Sequence, residues 1–340
     1  MNSRDIAPWV PFGLYDFYGY LFPGIFIFIS SIIFFKYSFI DQLICNTIWS
    51  TCRENGVLMV VLLGSFAIVL LYILGHVVST LSSIIYGIIN DGITGYPYIT
   101  LLKIPTVIRE YSRASHGYSL FILNMFILLP LFITDQNKIK IVAIWATIII
   151  IILFIFRFII AIFETNEQSK IILKKIANNK LVRFSLLPYK IIEIYITMLK
   201  KLISVDRTFS DNFIKRYKIK FKNDFSLISD EVGSDNFWLP YHKVNNSAPE
   251  NVALIRNWLH LYGFSRNIST AAYIVCFFMV IILTFGNKVN YDAFRIQLFS
   301  TYIVAWLLGL GYWRIFHTYY TKFIIRTYVC MDSKEDSIVC

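Results

Sequence analysis

The residues of this chain best suited to bind a ligand form a short basic run, KRYKIKFK, at positions 215–222. Its cationic members are Lys215, Arg216, Lys218, Lys220 and Lys222. The last three lysines alternate with Tyr217, Ile219 and Phe221, which is the period of a β-strand. Lysines neutralise phosphate charge while aromatic rings stack on bases, so the run predicts a strand that binds a nucleotide or nucleic acid. The alternative is an edge strand whose lysines face solvent or anionic lipid.

Two ionisable residues lie within long apolar stretches. His76 occurs in YILGHVVSTLSS, and Arg157 occurs in the stretch that ends near Phe163. Ionisable groups are costly in lipid, so both become candidates for an intramembrane function. The alternative is that Arg157 extends to the membrane interface and that His76 is a neutral packing residue.

Motifs of enzymes and metal sites are absent from the sequence. It contains no GxGxxG, Walker loop, HExxH or GxSxG, and no Cys/His spacing typical of zinc. We therefore predict a protein that is not an enzyme, with no catalytic residues, no metal site and no cofactor. Cys45 and Cys52 fall in one loop that is predicted to lie on the outer side of the membrane. The sequence fits a disulfide bond between them and two free thiols equally well.

The elements that carry these residues belong to a membrane protein. Of 340 residues, 57% are hydrophobic and 16% are charged, and the mean hydropathy is +0.61. Soluble domains have about 25% charged residues. The apolar residues also come in long runs, so lipid is their natural solvent.

Six of these runs are long enough for a helix of about 20 residues to cross the hydrocarbon core. They are Phe17 to Phe35, Val57 to Asn90, Ala114 to Thr134, Ile139 to Phe163, Asn267 to Asn287 and Ile296 to Trp313. With the N-terminus inside, the cytoplasmic segments hold 25 Lys and Arg against 6 outside. The positive-inside rule therefore predicts a multi-pass membrane protein with both termini in the cytoplasm. Most of this excess lies in one long loop.

That long loop is predicted to be a small basic mixed α/β insert. Between positions 165 and 266 it has 17 basic and nine acidic residues, a net charge of +8. Residues 189–204 have the pattern of an amphipathic helix, and NNSAPE at 245–250 predicts a turn that opens a further helix. The predicted division is 1–164 for helices one to four, 165–266 for the cytoplasmic domain, and 267–340 for helices five and six with the tail.

Three strings carry a resemblance to a known family: YDFYGYLFPG before and in helix one, YILGHVVSTLSS in helix two, and LYGFSRN before helix five. The chain resembles the channel-forming membrane subunits of bacterial antiphage defence operons, such as that of the Hailong system. The resemblance implies an oligomeric ion channel, a tetramer, that depolarises the infected cell. It also implies gating by a nucleotide or single-stranded DNA oligomer from a partner nucleotidyltransferase, bound at the basic residues of the run at 215–222.

Two other functions fit the same residues. A membrane sensor or scaffold would bind nucleic acid or a partner protein without conducting ions. A secondary transporter would use His76 and Arg157 as coupling groups.

Overall fold

A computed structural model describes residues 17–35, 49–89, 96–104, 208–229, 234–285 and 291–331, together with eight single positions between 124 and 145. Predicted helices three and four lie outside the described residues except for those single positions, all of which are helical. Arg157, Cys45 and the amphipathic stretch at 189–204 also lie outside them.

Every regular element in the described part of the chain is a helix. We number them α1 (Phe22–Phe35), α2 (Trp49–Ile89), α3 (Pro97–Leu101), α4 (Asp211–Phe225), α5 (Asp235–Ser247), α6 (Pro249–Phe285), α7 (Tyr291–Arg314) and α8 (Thr321–Cys330). A π-helical turn, Phe17–Leu21, leads into α1, and a second π-helical segment, Ile315–Tyr320, joins α7 to α8. The helix predicted to open after NNSAPE is present, since α6 begins at Pro249, but the predicted turn residues Asn245, Asn246 and Ser247 are helical and end α5.

The chain divides into two compact units. Unit 1 comprises Met1–Ile85 and Asn257–Tyr312, and unit 2 comprises Tyr86–Arg256 and Trp313–Cys340.

Three described helical stretches are long and apolar enough to cross a membrane. They are Val61–Gly87 in α2, Glu250–Ile281 in α6 and Phe294–Cys330, which runs from α7 to α8. Phe17–Ser30, which includes the start of α1, is a shorter apolar helix. The membrane class predicted from composition is therefore supported, and α6 begins well before the apolar run that predicted it because its N-terminal turns pack in unit 2.

In unit 1, α1 and α2 approach each other at two glycines. A Cβ atom at Gly24 would overlap the backbone carbonyl of Leu71, and one at Gly75 would overlap the backbone carbonyl of Tyr20. Only hydrogen fits at these positions, so the two helices cross with their backbones almost touching. Small residues allow this close packing between membrane helices.

Asn267 of α6 joins three segments of unit 1. Its side-chain amide nitrogen donates to the Gly19 carbonyl at 2.7 Å, and its side-chain oxygen accepts from the Ser82 hydroxyl. Ser269 extends the polar packing toward α7 by donating to the Ala305 carbonyl at 2.7 Å. Asn267 and Ser269 are fully buried, so these bonds satisfy polar groups that lipid could not.

Unit 2 is helical in its described residues, and the predicted mixed α/β insert is wrong for this part of the chain. The stretch at 215–222, predicted as a strand, lies in the middle of α4. Its apolar residues also fit a helix, because Ile214, Tyr217 and Phe221 repeat at three and four residues and are all buried. The six alternating residues at 217–222 fit both a strand and a helix. Burial of Ile214, Tyr217 and Phe221 on one face decides for the helix.

Candidate ligand-binding helix

Helix α4 has a capping residue at each end. The Ser210 hydroxyl accepts a hydrogen bond from the Phe213 amide at 3.4 Å, and Asp211 places a negative charge in the first turn. At the other end Ser226 adopts the left-handed conformation, with φ 56°, and its amide donates to the Lys222 carbonyl. The helix is thereby confined to 211–225, with all five candidate basic residues inside it.

The helix separates the five basic residues onto two flanks. At about 100° per residue, Lys215, Lys218 and Lys222 fall along one flank, and Arg216 and Lys220 fall on the other. Ile219 lies between the flanks and is 63% exposed. The single cationic face expected of a strand is thus replaced by a row of three lysines, spanning about 10 Å of helix, which we call the lysine row.

The five basic residues differ in how exposed their side chains are. Lys215, Arg216 and Lys222 are exposed, whereas Lys218 and Lys220 are half-buried. The Lys220 ammonium lies 5.2 Å from the centre of the Tyr328 ring of α8, a cation–π contact. Lys220 therefore takes part in the packing of unit 2.

Beside Lys220, Asp224 ties α4 to α5 and α8. Its carboxylate accepts from the Lys243 ammonium at 2.7 Å and from the Tyr328 hydroxyl at 2.7 Å. Burial acts to raise the pKa of Asp224, but the hydrogen bonds from Lys243 and Tyr328 and the charges of Lys243 and Lys220 outweigh it, so the pKa lies below its ordinary value. The carboxylate is ionised at neutral pH and serves as an internal counter-ion. Its role is therefore structural, because it holds α4 against α5 and α8.

Tyr217 also has a structural position. Its ring is fully buried, and its hydroxyl donates to the Asn236 carbonyl at 2.6 Å. Burial raises the pKa of Tyr217 well above its ordinary value, so the phenol stays neutral. The aromatic residues predicted to stack on bases, Tyr217 and Phe221, are instead core residues.

Two cations from α8 were not recognised as site residues in the sequence. The Lys322 ammonium and the Arg326 guanidinium each lie 5.9 Å from the ring of Phe209, just before α4. Their spacing of four residues puts both on one face of α8. That spacing was the signal available in the sequence.

The start of α4 is also tied to α3. The Phe209 amide donates to the Leu101 carbonyl at 3.2 Å, and the Lys103 ammonium pairs with the Asp211 carboxylate at 2.7 Å. The hydrogen bond from Lys103 is the main cause of a lowered pKa at Asp211. The N-terminal end of α4 is consequently held in a fixed position, with basic groups around it.

The intramembrane candidate His76 belongs to unit 1. Its ring stacks on Tyr20 with centroids 3.8 Å apart and meets the Tyr72 ring at 4.5 Å. The His76 side chain is nevertheless exposed. Within the described residues, no group of three or more His, Cys, Asp or Glu side chains could hold a metal ion.

Compared with protein-family models, with curated proteins and with solved structures, the chain has no significant match.

Proposed function

We propose that this protein is an oligomeric transmembrane ion channel, an effector of bacterial antiphage defence, gated by a nucleotide or DNA-oligomer ligand at helix α4. The observation that carries the proposal is the lysine row, held on a capped helix in the same chain as three apolar membrane-spanning stretches. A signal ligand rich in phosphate binds such a row through charge neutralisation.

The chemistry of α4 favours phosphate over a base-specific contact. Lys215 and Lys222 are exposed, while the nearby rings of Tyr217 and Phe221 are fully buried. Binding at this helix therefore depends on ammonium groups, and the affinity falls steeply as salt rises.

The finer architecture is also part of the proposal. The chain crosses the inner membrane six times, with both termini and the insert at 165–266 in the cytoplasm. Four copies surround one pore, and a partner nucleotidyltransferase makes the ligand.

Electrical recording of the full-length protein tests the channel. Purified protein in planar bilayers passes current, and a short single-stranded oligothymidylate or ATP added on the side of unit 2 changes that current. Silence with and without these ligands would contradict the channel.

Binding is measured separately, by anisotropy of the labelled oligothymidylate over a range of salt. Lys215→Ala/Lys222→Ala lowers the salt slope by roughly 1.4, since each phosphate contact on a single strand contributes about 0.7. Arg256→Ala, which removes one exposed charge elsewhere in unit 2, is the control for Lys222→Ala alone. Equal losses from these two single variants would show non-specific attraction and exclude the lysine row as the site.

The second candidate is a membrane sensor or scaffold that does not conduct ions. The lysine row favours it equally, because binding requires no pore. Salt-sensitive binding of the oligothymidylate without any current would select this function.

A further inference from the structure

Helix α2 carries a line of polar side chains through its membrane-spanning stretch. At about 100° per residue, five polar residues lie within about 40° of the direction of His76, in a sector that also holds the exposed apolar residues Leu62 and Val69. They are Ser65, Tyr72, His76, Thr80 and Ser83, which we call the α2 stripe. From Ser65 to Ser83 the stripe is about 27 Å long, close to the roughly 30 Å of the hydrocarbon core.

The stripe is uncovered in the single chain. Ser65, His76, Thr80 and Ser83 are exposed, and only 11% of the most apolar part of Val61–Gly87 is buried. Helix α6 is different, because 61% of the corresponding part of Glu250–Ile281 is buried. Its polar residues Asn267, Ser269 and Thr270 face protein.

The two hydroxyl groups best placed to face lipid are already satisfied. Ser65 donates to the Val61 carbonyl at 2.9 Å, and Thr80 donates to the His76 carbonyl at 3.0 Å. The His76 imidazole contacts the rings of Tyr20 and Tyr72 but makes no hydrogen bond to a described residue. Polar and ionisable groups at this depth of a membrane protein face a bundle interior or a water-filled cavity. The position of His76 therefore indicates that the stripe faces one of these two environments.

The exposed residues on the opposite face of α2 are apolar between Leu70 and Leu81. Leu70, Leu74, Val77 and Leu81 lie more than about 90° from His76 and are exposed. One helix therefore presents a lipid-compatible face and a water-compatible face, as expected of a helix that borders a pore.

We infer that α2 helices from several copies of this chain line a water-filled pathway, with the α2 stripe facing the water. The inference rests on the channel function proposed above and names its lining. His76 is held against Tyr20 and Tyr72, so its ring is a fixed constriction near the middle of the stripe.

Cysteine accessibility tests the lining without using current. Full-length protein in its native membranes carries Ser65→Cys, Thr80→Cys or Ser83→Cys on the stripe, and Val77→Cys or Leu81→Cys as matched controls. A charged, membrane-impermeant methanethiosulfonate is added from both sides, and modification is followed at each position by mass spectrometry, so the native cysteines remain. Membrane yield and elution volume identify any variant that fails to fold.

We expect modification on the stripe to be at least roughly tenfold faster than at the controls, because the charged reagent is excluded from lipid. Slow modification at all five positions would overturn the inference in favour of dry packing against another helix. Fast modification at all five positions would overturn it too, since α2 would then be in water on every side.

The two failures are distinguishable. A stripe that is not modified in a protein that still passes current removes α2 from the pore but leaves the channel intact. A modified stripe in a protein that never passes current supports the water-filled pathway and contradicts conduction.

Discussion

Asp224 ties α4 to two neighbouring helices through hydrogen bonds. It bonds Lys243 of α5 and Tyr328 of α8, and its side chain is 16% exposed. We predict that Asp224→Asn lowers the free energy of unfolding by about 1–3 kcal/mol, because it weakens two charge-assisted hydrogen bonds. Thermal unfolding of the full-length protein in detergent measures this. Asp211→Asn is the control, since its exposed pair with Lys103 is screened by solvent and should contribute far less.

The pH dependence of this contribution has a definite direction. The pKa of Asp224 is lowered in the folded protein relative to its ordinary value of 3.8. The stabilisation is therefore fully present above pH 3.8 and is lost as the pH falls through the lower, folded-state pKa. The gap in melting temperature between wild type and Asp224→Asn should be wide at pH 7 and should narrow below about pH 4. A constant gap would show that the carboxylate charge is not responsible.

The sequence identified the charged candidate residues of α4 but did not show which of their side chains are exposed. The lysines of the run at 215–222 were found from composition, and Lys215 and Lys222 remain exposed. The packing roles of Lys220 and Asp224 could not be predicted, because their partners Tyr328 and Lys243 come from distant parts of the chain.

At the scale of elements, the crossing of α1 and α2 depends on Gly24 and Gly75. We predict that Gly24→Ala and Gly75→Ala each destabilise unit 1 by about 1–3 kcal/mol, because the new methyl group overlaps a backbone carbonyl. Thermal stability in detergent is the measurement. Gly64→Ala and Gly87→Ala on α2 are the controls, since nothing lies within 4 Å of a Cβ at either position. They should be neutral or up to about 1 kcal/mol stabilising, and equal loss at all four glycines would exclude the crossing as the cause.

At the C-terminal end of α4, one substitution is expected to raise the stability of the protein instead of lowering it. Ser226 has φ 56°, which costs free energy for a residue with a Cβ atom. Ser226→Gly should raise the stability of the full-length protein by roughly 0.5–1 kcal/mol. Ser247→Gly, at the last helical position of α5, should lower it. Destabilisation by both changes would mean that the Ser226 side chain makes a contribution larger than the strain.

Element type was predictable where a long apolar run specified it. The first predicted run coincides with Phe17–Phe35, and α7 lies close to its predicted bounds. The type of α4 was not predictable, because six alternating residues fit both periods and the deciding contacts with α5 and α8 are tertiary. The π-helical turn at Phe17–Leu21 likewise has no local signature.

For the whole molecule, the distribution of basic residues predicts sidedness. With 25 Lys and Arg on one side and 6 on the other, the proposed six-span chain keeps the insert at 165–266 and both ends in the cytoplasm. We predict that Lys222→Cys reacts with an impermeant maleimide in cells only after permeabilisation. A C-terminal green fluorescent protein should be bright, and a C-terminal alkaline phosphatase should be inactive. Active phosphatase would place the C-terminus outside and contradict this orientation.

At this scale composition was sufficient for the membrane class but not for the number of spans. Three stretches of the described chain meet the length and hydropathy required, and helices three and four of the sequence prediction stay predictions. Oligomeric state depends on surfaces such as the α2 stripe, which one hydropathy profile cannot assign.

The bond from Asn267 to Gly19 has a consequence for biosynthesis. The two residues are 248 positions apart, and a ribosome needs roughly 10–50 s to add that many residues. During this interval the Gly19 carbonyl is without the asparagine amide that will pair with it. Synthesis of the early helices and completion of their packing are therefore separate events. Chains that stop before Asn267 should remain substrates for membrane quality-control proteases.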